Sequence, residues 1–224
     1  MNELNQEKTQ NKQLDSILTK FSSLGFTQLT EIQKKAIPLI IQKKDSLVIA
    51  PTGSGKTECS VIPIFSFIGT SKMPGKIKAL YVTPLRALNR DVFKRIIRYA
   101  EAESLTIEIR HGDTSQATRK KISTAPPDVL ITTPETLVIL LTQQKMLDAL
   151  SELDWIVIDE IHDLLSNERG SQLSLSLERL QINSKHHITR IGLSATVGNT
   201  LDAAKFLVGT KRKYEIIKVM IISR

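Results

Sequence analysis

The sequence predicts an α/β fold in which a mainly parallel β-sheet carries helices on both faces. Six short apolar or β-branched runs alternate with helical patterns, as is typical of successive βαβ units. These runs are residues 47–50, 79–83, 105–109, 129–132, 155–159 and 188–193. A glycine-rich loop follows the first run, and two carboxylates end the fifth. Because ligands bind at the carboxyl ends of parallel strands, we expect both features at one edge of the sheet.

Length and composition indicate one large domain. The chain has 224 residues, of which 41% are hydrophobic, enough to form a sizeable core. We expect a flexible lead at 1–13, the domain at 14–215, and at 216–224 either its end or the start of a linker. The start is polar and no apolar run approaches the roughly 18 residues of a membrane span. With Cys59 as the single cysteine, we predict a soluble, cytoplasmic protein with no membrane partner.

Charge is distributed unevenly along the chain, whose net charge is +8. Residues 71–100 carry eight basic and one acidic side chains, and residues 184–224 carry eight and two. Residues 128–183 carry three basic and ten acidic side chains. This segregation favours a surface that faces a polyanion, next to an acidic region. A basic face that serves only solubility is the alternative.

The glycine-rich loop is typical of a site that holds nucleotide phosphates. Its residues are Thr52, Gly53, Ser54, Gly55, Lys56 and Thr57. The glycines let backbone N–H groups point inward, beside a helix start that favours anions. Lys56 adds a positive charge, and Thr57 supplies a hydroxyl suited to Mg²⁺, so the loop predicts ATP or GTP binding. The usual pattern begins with glycine, where this chain has Ala50.

The fifth apolar run ends in the adjacent carboxylates Asp159 and Glu160. Asp159 is expected to hold Mg²⁺ through a water molecule, and Glu160 to orient and deprotonate the water that attacks the γ-phosphate. The alternative is an acidic pair at a helix start, which the helix dipole favours. The phosphate loop makes the catalytic interpretation the stronger one.

These features together resemble a known family. The loop, the segment Asp159-Glu160-Ile161-His162 and the segment Gly192-Leu193-Ser194-Ala195-Thr196 resemble motifs I, II and III of superfamily-two helicases. Residues 167–180, with 191–199 and 204–207, are similar to the large helicase-related (Lhr) group. The resemblance covers roughly residues 25–215. It implies the first of two RecA-like domains, a three-layer sandwich, with Lys56, Asp159, Glu160 and His162 as catalytic residues.

The resemblance also implies roles for residues around the nucleotide. Gln33 would read the adenine edge and favour ATP, although Thr30-x-x-Gln33 is also a capping box. Ser194, Ala195 and Thr196, together with His162, would couple the nucleotide state to the nucleic-acid surface. The alternative for this segment is a strand-end turn in which the hydroxyls cap the backbone.

Nucleic-acid contacts are implied by segments 83–90 and 132–135, which resemble motifs Ia and Ib. The expected contact residues are Pro84, Arg86, Gly112, Asp113, Thr114, Thr133, Pro134, Glu135 and Arg169. Such contacts position a strand through its backbone without reading its bases. Arg86, Arg90, Lys94 and Arg98 recur every four residues as a basic helical stripe, which either binds the strand or is solvent-exposed only. Because aromatic residues make up only 4% of the chain, a base-stacking platform is not expected.

The resemblance implies an ATP- and Mg²⁺-binding motor domain of a nucleic-acid helicase, with single-stranded or partly duplex DNA favoured over RNA. A second RecA-like domain of the parent chain would complete the ATP cleft with an arginine. We therefore expect the present chain to hydrolyse ATP slowly and not to unwind duplexes by itself. The alternatives are an RNA-remodelling ATPase of the DEAD-box type and a nucleic-acid binding module without catalysis.

Overall fold

A computed structural model describes residues 15–19, 21–25, 28–84, 90–165, 167–196 and 198–219. Across these residues, seven strands form one sheet: β1 (Ser46–Ile49), β2 (Ala79–Val82), β3 (Ile107–Arg110), β4 (Val129–Thr132), β5 (Trp155–Ile158), β6 (Thr189–Ser194) and β7 (Glu215–Lys218). Their order is β3-β4-β2-β5-β6-β1-β7, and every neighbouring pair is parallel. The predicted parallel α/β fold is confirmed.

The strands differ from the sequence prediction in two places. β3 begins at Ile107, because the Leu105 amide donates a hydrogen bond to the Ala100 carbonyl and so belongs to the end of the preceding helix. β7 was not predicted from the sequence. It is an edge strand in which only Ile217 is buried, so it lacks the apolar run of an inner strand. β7 reaches Lys218, within the segment 216–224 that was expected to be the end of the domain or the start of a linker.

Helices cover both faces of the sheet. They are α1 (Glu31–Ile41), α2 (Lys56–Thr70), α3 (Arg90–Ala102), α4 (Gln116–Thr124), α5 (Pro134–Leu140), α6 (Gln144–Ala149), α7 (Glu168–Asn183) and α8 (Thr200–Val208). Alternate residues of a strand point to opposite faces of the sheet and so belong to two separate apolar cores. Val157 packs in the core that includes α1, α2 and α3, whereas Ile156 and Ile158 pack in the core that includes α4 to α8. These are the three layers that the sequence predicts.

The parallel strands bring all their carboxyl ends to one edge, called here the carboxyl edge. The loop after β1, the carboxylates after β5 and the hydroxyls that end β6 lie in the half formed by β1, β6 and β5. The segments after β2, β3 and β4 form the other half. The strand order therefore separates the predicted nucleotide residues from most of the predicted nucleic-acid residues. Within the described parts of the chain, no helix is long and apolar enough to cross a membrane.

Candidate nucleotide site and nucleic-acid interface

The phosphate loop depends on two left-handed glycines, Gly53 with φ of 79° and Gly55 with φ of 89°. Gly55 directly precedes α2, so the loop opens into a helix N-terminus with free N–H groups. A Cβ atom at Gly55 would lie 2.2 Å from the side-chain amide nitrogen of Gln33. The left-handed backbone favours glycine at position 55, and a side chain there would displace the Gln33 amide.

Lys56 is the first residue of α2 and is buried. Its ammonium donates hydrogen bonds to the backbone carbonyls of Ala50 and, at 3.0 Å, Pro51. Burial lowers the pKa of Lys56, against the opposite effect of the Glu160 and Asp159 charges. Ala50 takes part through its backbone and lies outside the left-handed region that would need glycine. The departure from the usual loop pattern is therefore compatible with this geometry.

A cavity of about 460 Å³ joins the phosphate loop to the carboxylates after β5. Its lining includes these predicted residues: Gln33, Thr52, Gly53, Gly55, Lys56, Thr57, Asp159 and Glu160. Arg95 lines it as well and forms an ion pair with Glu58 at 3.0 Å. The sequence reasoning missed these two residues, because no motif marks them. The volume lies within the usual range of small-molecule pockets.

Asp159 follows β5 directly and is buried. One carboxylate oxygen, Oδ2, accepts a hydrogen bond of 2.6 Å from the Tyr81 hydroxyl, and Oδ1 accepts one of 3.0 Å from the Glu160 backbone N–H. Burial raises the pKa of Asp159, although both hydrogen bonds act in the opposite direction. The sequence reasoning missed Tyr81, which reads as an ordinary residue of an apolar strand.

Glu160 has a left-handed backbone with φ of 49°, an uncommon conformation for a residue other than glycine. Its Oε2 lies 3.3 Å from His162 Nδ1 but makes no hydrogen bond. Burial, and then the charge of Asp159, raise the pKa of Glu160. Backbone strain together with a raised carboxylate pKa is typical of a functional position.

The predicted coupling residues connect β5 to β6. His162 Nδ1 lies 3.0 Å from the Ser194 hydroxyl oxygen, and the Ser194 hydroxyl donates a 2.7 Å hydrogen bond to the Thr196 carbonyl. Ser194 is buried, Ala195 half-buried and Thr196 exposed. The structure therefore brings His162 and the segment after β6 together beside the nucleotide cavity. Their coupling role stays a prediction.

Gln33 braces the phosphate loop. Its Oε1 accepts a 2.9 Å hydrogen bond from the Thr30 backbone N–H, and its Nε2 donates one of 3.2 Å to the Gly55 carbonyl. The Thr30 hydroxyl also donates to the Ser54 carbonyl, at 2.8 Å. The bond from the Thr30 N–H to the Gln33 side chain is the one that the capping-box alternative describes. The adenine contact of Gln33 stays a prediction, and its bracing of the loop was not foreseen.

The two residues predicted to hold Mg²⁺, Thr57 and Asp159, both interact with the Tyr81 phenol. They supply a hydroxyl and a carboxylate oxygen, the hard donors that Mg²⁺ prefers. Among the described residues, no group of three or more His, Cys, Asp or Glu side chains could hold a metal ion by itself. The donor set therefore fits an Mg²⁺ ion that keeps its remaining ligands from water and nucleotide phosphates.

On the other half of the carboxyl edge, the loop after β3 is held by hydrogen bonds between nearby side chains and its backbone. Thr114 Oγ1 accepts a 2.9 Å hydrogen bond from the His111 N–H, and the Thr114 carbonyl accepts one of 2.8 Å from Arg119. Gly112 and Asp113 are exposed. This loop is therefore shaped by local bonds and leaves two of the predicted contact residues open to solvent.

The segment after β2 is described only in part. Pro84 is buried, and Arg86 lies outside the described residues, as does the side chain of Arg90. Lys94 and Arg98 of the predicted basic stripe are exposed. Half of the stripe is thus open to solvent, and its contact with a strand stays a prediction.

Two predicted nucleic-acid residues are paired with each other. Thr133 caps the start of α5, where its Oγ1 accepts a hydrogen bond from the Thr136 N–H, and Pro134 is the first helical residue. Glu135 accepts a hydrogen bond from Arg169 Nε at the start of α7. Burial acts to raise the pKa of Glu135, but bonds from Arg169 and other donors outweigh it and lower that pKa.

Gly170 lets the start of α7 approach the segment that carries His162. A Cβ atom there would lie 1.7 Å from the Leu164 carbonyl oxygen. No side chain fits at this distance, so position 170 requires glycine. This contact between Gly170 and Leu164 places Arg169, which precedes Gly170, beside the segment that follows β5.

Comparison with known proteins identifies a family. The sequence pattern of the DEAD/DEAH box helicase family matches residues 30–204. The ATP-dependent helicase Lhr-Core of Saccharolobus solfataricus is 37% identical over 213 residues, which cover 89% of this chain and 24% of that protein. Its counterpart in Methanothermobacter thermautotrophicus is 41% identical over 199 residues, 82% of this chain and 23% of that protein.

A solved structure gives the same result for the fold. The Mycobacterium smegmatis helicase Lhr, bound to single-stranded DNA and AMP-PNP, matches with a TM-score of 0.76 and 37% sequence identity. The match covers 90% of this chain and 27% of that one. The present chain thus spans about a quarter of the proteins it matches. The predicted RecA-like fold and the predicted similarity to the Lhr group are confirmed.

Proposed function

The chain belongs to the DEAD/DEAH box helicase family, and we propose that it is the ATP-binding motor domain of an ATP-dependent helicase, the first of two RecA-like domains. One observation carries this proposal: the phosphate loop, Asp159 and Glu160 line a single cavity at the carboxyl edge. Loop, metal-binding carboxylate and catalytic carboxylate are the parts that phosphoryl transfer from a nucleotide requires.

In this proposal the loop N–H groups and Lys56 bind the β- and γ-phosphates of ATP. For this purpose the Lys56 ammonium exchanges loop carbonyls for phosphate oxygens, which are stronger acceptors because they are charged. Thr57 and Asp159 would hold Mg²⁺, which neutralises phosphate charge when it is bound. Glu160 would accept the proton of the attacking water, a role that its raised pKa suits.

The other half of the carboxyl edge is proposed to bind the nucleic-acid backbone, with DNA favoured over RNA. The similar M. smegmatis structure, whose bound strand is single-stranded DNA, supports that preference. The pair between Glu135 and Arg169 reconciles an acidic side chain with this surface. Because Arg169 uses only Nε on Glu135, its other guanidinium N–H groups can still donate to a phosphate. The pair also offsets the Glu135 charge that would repel the strand.

We propose that efficient hydrolysis needs a second RecA-like domain that supplies an arginine to the γ-phosphate. Such an arginine contributes about 10³- to 10⁵-fold to the rate in phosphoryl transfer. His162 and Ser194 would report the nucleotide state to the nucleic-acid half, because their contact joins the segments after β5 and β6.

The proposal is tested by measuring how nucleotide changes nucleic-acid binding. Labelled single-stranded DNA and RNA of one sequence are titrated with the chain over a range of salt, with and without Mg²⁺ and AMP-PNP. We expect nucleotide to change the affinity, DNA to bind more tightly than RNA, and Lys56→Ala to abolish the nucleotide effect. Tighter binding of RNA would favour the RNA-remodelling alternative. Binding that ignores nucleotide would instead identify a module without a working cleft and overturn the proposal.

A further inference from the structure

Tyr81 is a buried tyrosine in β2. The segment that resembles motif Ia begins two residues later, at Thr83. It pairs in register with Ile131 of β4 and Val157 of β5, and 4% of its surface is exposed. At this position an aliphatic or phenylalanine side chain would serve packing as well. The hydroxyl therefore calls for a separate explanation, because a buried polar group destabilises the fold unless it finds a partner.

The partner of that hydroxyl is the carboxylate of Asp159. The phenol donates to Oδ2 at 2.6 Å, a length typical of a strong hydrogen bond from a neutral donor to a charged acceptor. Burial, and then the charge of Asp159, raise the pKa of Tyr81 well above its usual value, so the phenol stays protonated and able to donate. The same phenol interacts with Thr57 of the phosphate loop.

These contacts restrict the Asp159 carboxylate from two sides. Oδ2 is held by Tyr81 and Oδ1 by the Glu160 N–H, so rotation of the carboxylate would break a hydrogen bond. Each oxygen keeps a second lone pair for a ligand. Because the Asp159 carboxylate already accepts two hydrogen bonds, it suits contact with a hydrated cation through a water molecule.

We propose that Tyr81 is a positioning residue for the metal end of the nucleotide site: its hydroxyl fixes the orientation of the Asp159 carboxylate, which would hold a hydrated Mg²⁺ ion. The inference rests on the proposed function of the same site. It concerns the metal rather than the phosphates. A loss of the Tyr81 hydroxyl should therefore change how much Mg²⁺ tightens nucleotide binding, and leave the binding of metal-free nucleotide as it was.

The test is Tyr81→Phe, which removes one oxygen atom and keeps the ring. The affinity of the chain for ATP is measured by calorimetry once with Mg²⁺ and once with EDTA. We expect the affinity in EDTA to stay within about twofold, and the tightening by Mg²⁺ to fall about tenfold, as for the loss of one hydrogen bond to a charged group. Tyr214→Phe is the matched control, because Tyr214 is half-buried just before β7, at the opposite edge of the sheet. It should change neither value.

A second measurement uses the unaltered side chain, in case Tyr81→Phe does not fold. The chain contains three tyrosines, and fluorotyrosine labelling gives a ¹⁹F signal for each, assigned through Phe variants of Tyr99 and Tyr214. We expect the Tyr81 signal to shift when Mg²⁺ is added to the ATP complex, while the Tyr214 signal stays in place.

Three results would overturn the inference. One is an unchanged Mg²⁺ effect in Tyr81→Phe, and another is an equal loss of affinity with and without metal, which would mean a purely structural role. The third is a Tyr81 signal that ignores Mg²⁺ in an ATP complex. If the wild-type chain binds no ATP under either condition, the proposed function itself fails, which is a different outcome from a normal Mg²⁺ effect in the variant.

Discussion

Two glutamates at opposite ends of β5 show how the two edges of the sheet differ. Glu152, before the strand, accepts hydrogen bonds from Lys185 at 2.7 Å and from His186 at 2.8 Å. These bonds lower its pKa to about 2. Glu160, after the strand, has its pKa raised by burial and by Asp159. The glutamate before β5 is thus held by hydrogen bonds from Lys185 and His186, whereas the oxygen Oε2 of the glutamate after it makes no hydrogen bond.

The two aspartates that flank β5, Asp154 and Asp159, differ in a similar way. Asp154 forms ion pairs with Lys43 at 3.0 Å and Lys78 at 2.6 Å. Asp159 receives only neutral donors, Tyr81 and a backbone N–H, and makes no ion pair within the described ranges of the chain. The amino-terminal edge therefore uses its carboxylates to stabilise the fold. The carboxyl edge keeps its carboxylates available for a cation and a proton, as the proposed function requires.

The largest expected effect comes from Glu160→Gln. Removing a general base should lower single-turnover ATP hydrolysis by about 10²- to 10⁴-fold, while ATP affinity is kept. Hydrolysis is followed with the protein in excess, so that slow turnover is measurable. Glu152→Gln is the control, since it should leave the rate unchanged and lower the thermal midpoint instead. Equal rates in Glu160→Gln and wild type would remove Glu160 from the mechanism.

The next effect is expected at the opposite edge, with Asp154→Ala. The change leaves Lys78, whose side chain is 8% exposed, without its partner. Breaking a buried pair in this way costs about 3–5 kcal/mol, which urea unfolding would measure. Asp159→Ala should destabilise less and reduce the tightening of ATP binding by Mg²⁺. If the two variants showed the same pattern, the distinction between the edges would not hold.

The two glutamates should also respond differently to pH. Burial and the charge of Asp159 raise the pKa of Glu160, so this carboxylate takes up a proton above pH 4.5 as the pH falls. ATP hydrolysis should therefore decline at a higher pH than the stability that Glu152 contributes. The lowered pKa of Glu152 contributes stability that is fully present above its unfolded value near 4.5 and is lost as the pH falls toward about 2. The difference in thermal midpoint between wild type and Glu152→Gln should therefore shrink over that interval. A difference in thermal midpoint that stays constant over this pH range would contradict the stabilising role of the Glu152 carboxylate.

The smallest effect is expected for the pair between Glu135 and Arg169, whose side chains are 49% and 43% exposed. Such a pair contributes about 0.2–1 kcal/mol to stability, so a double-mutant cycle should find weak coupling. Arg169→Ala should nevertheless weaken DNA binding and reduce its salt dependence, because a phosphate contact is lost. Glu135→Gln should weaken it less. Unchanged DNA binding in Arg169→Ala would take this residue out of the interface.

Local patterns explain what the sequence could predict. The six strands from β1 to β6 and the phosphate loop depend on neighbouring residues, and Asp159, Glu160 and His162 lie in one short motif. Contacts between distant segments leave no such pattern. Tyr81 is 78 residues from Asp159, and Glu135 is 34 from Arg169. The edge strand β7 was missed for another reason, since its charged, exposed residues do not form an apolar run.

Lys56 is expected to bind Mg-ATP at the carboxyl edge, whereas lysines at the other edge serve the fold. Calorimetric titration of the chain with Mg-ATP tests this most directly, with Lys56→Ala compared to Lys44→Ala, a lysine near Glu215 before β1. We expect Lys56→Ala to weaken binding by about 10- to 100-fold, as for a lost bond between charged groups, and Lys44→Ala to bind like wild type. Equal affinities for all three proteins, or no binding by the wild type, would contradict the account.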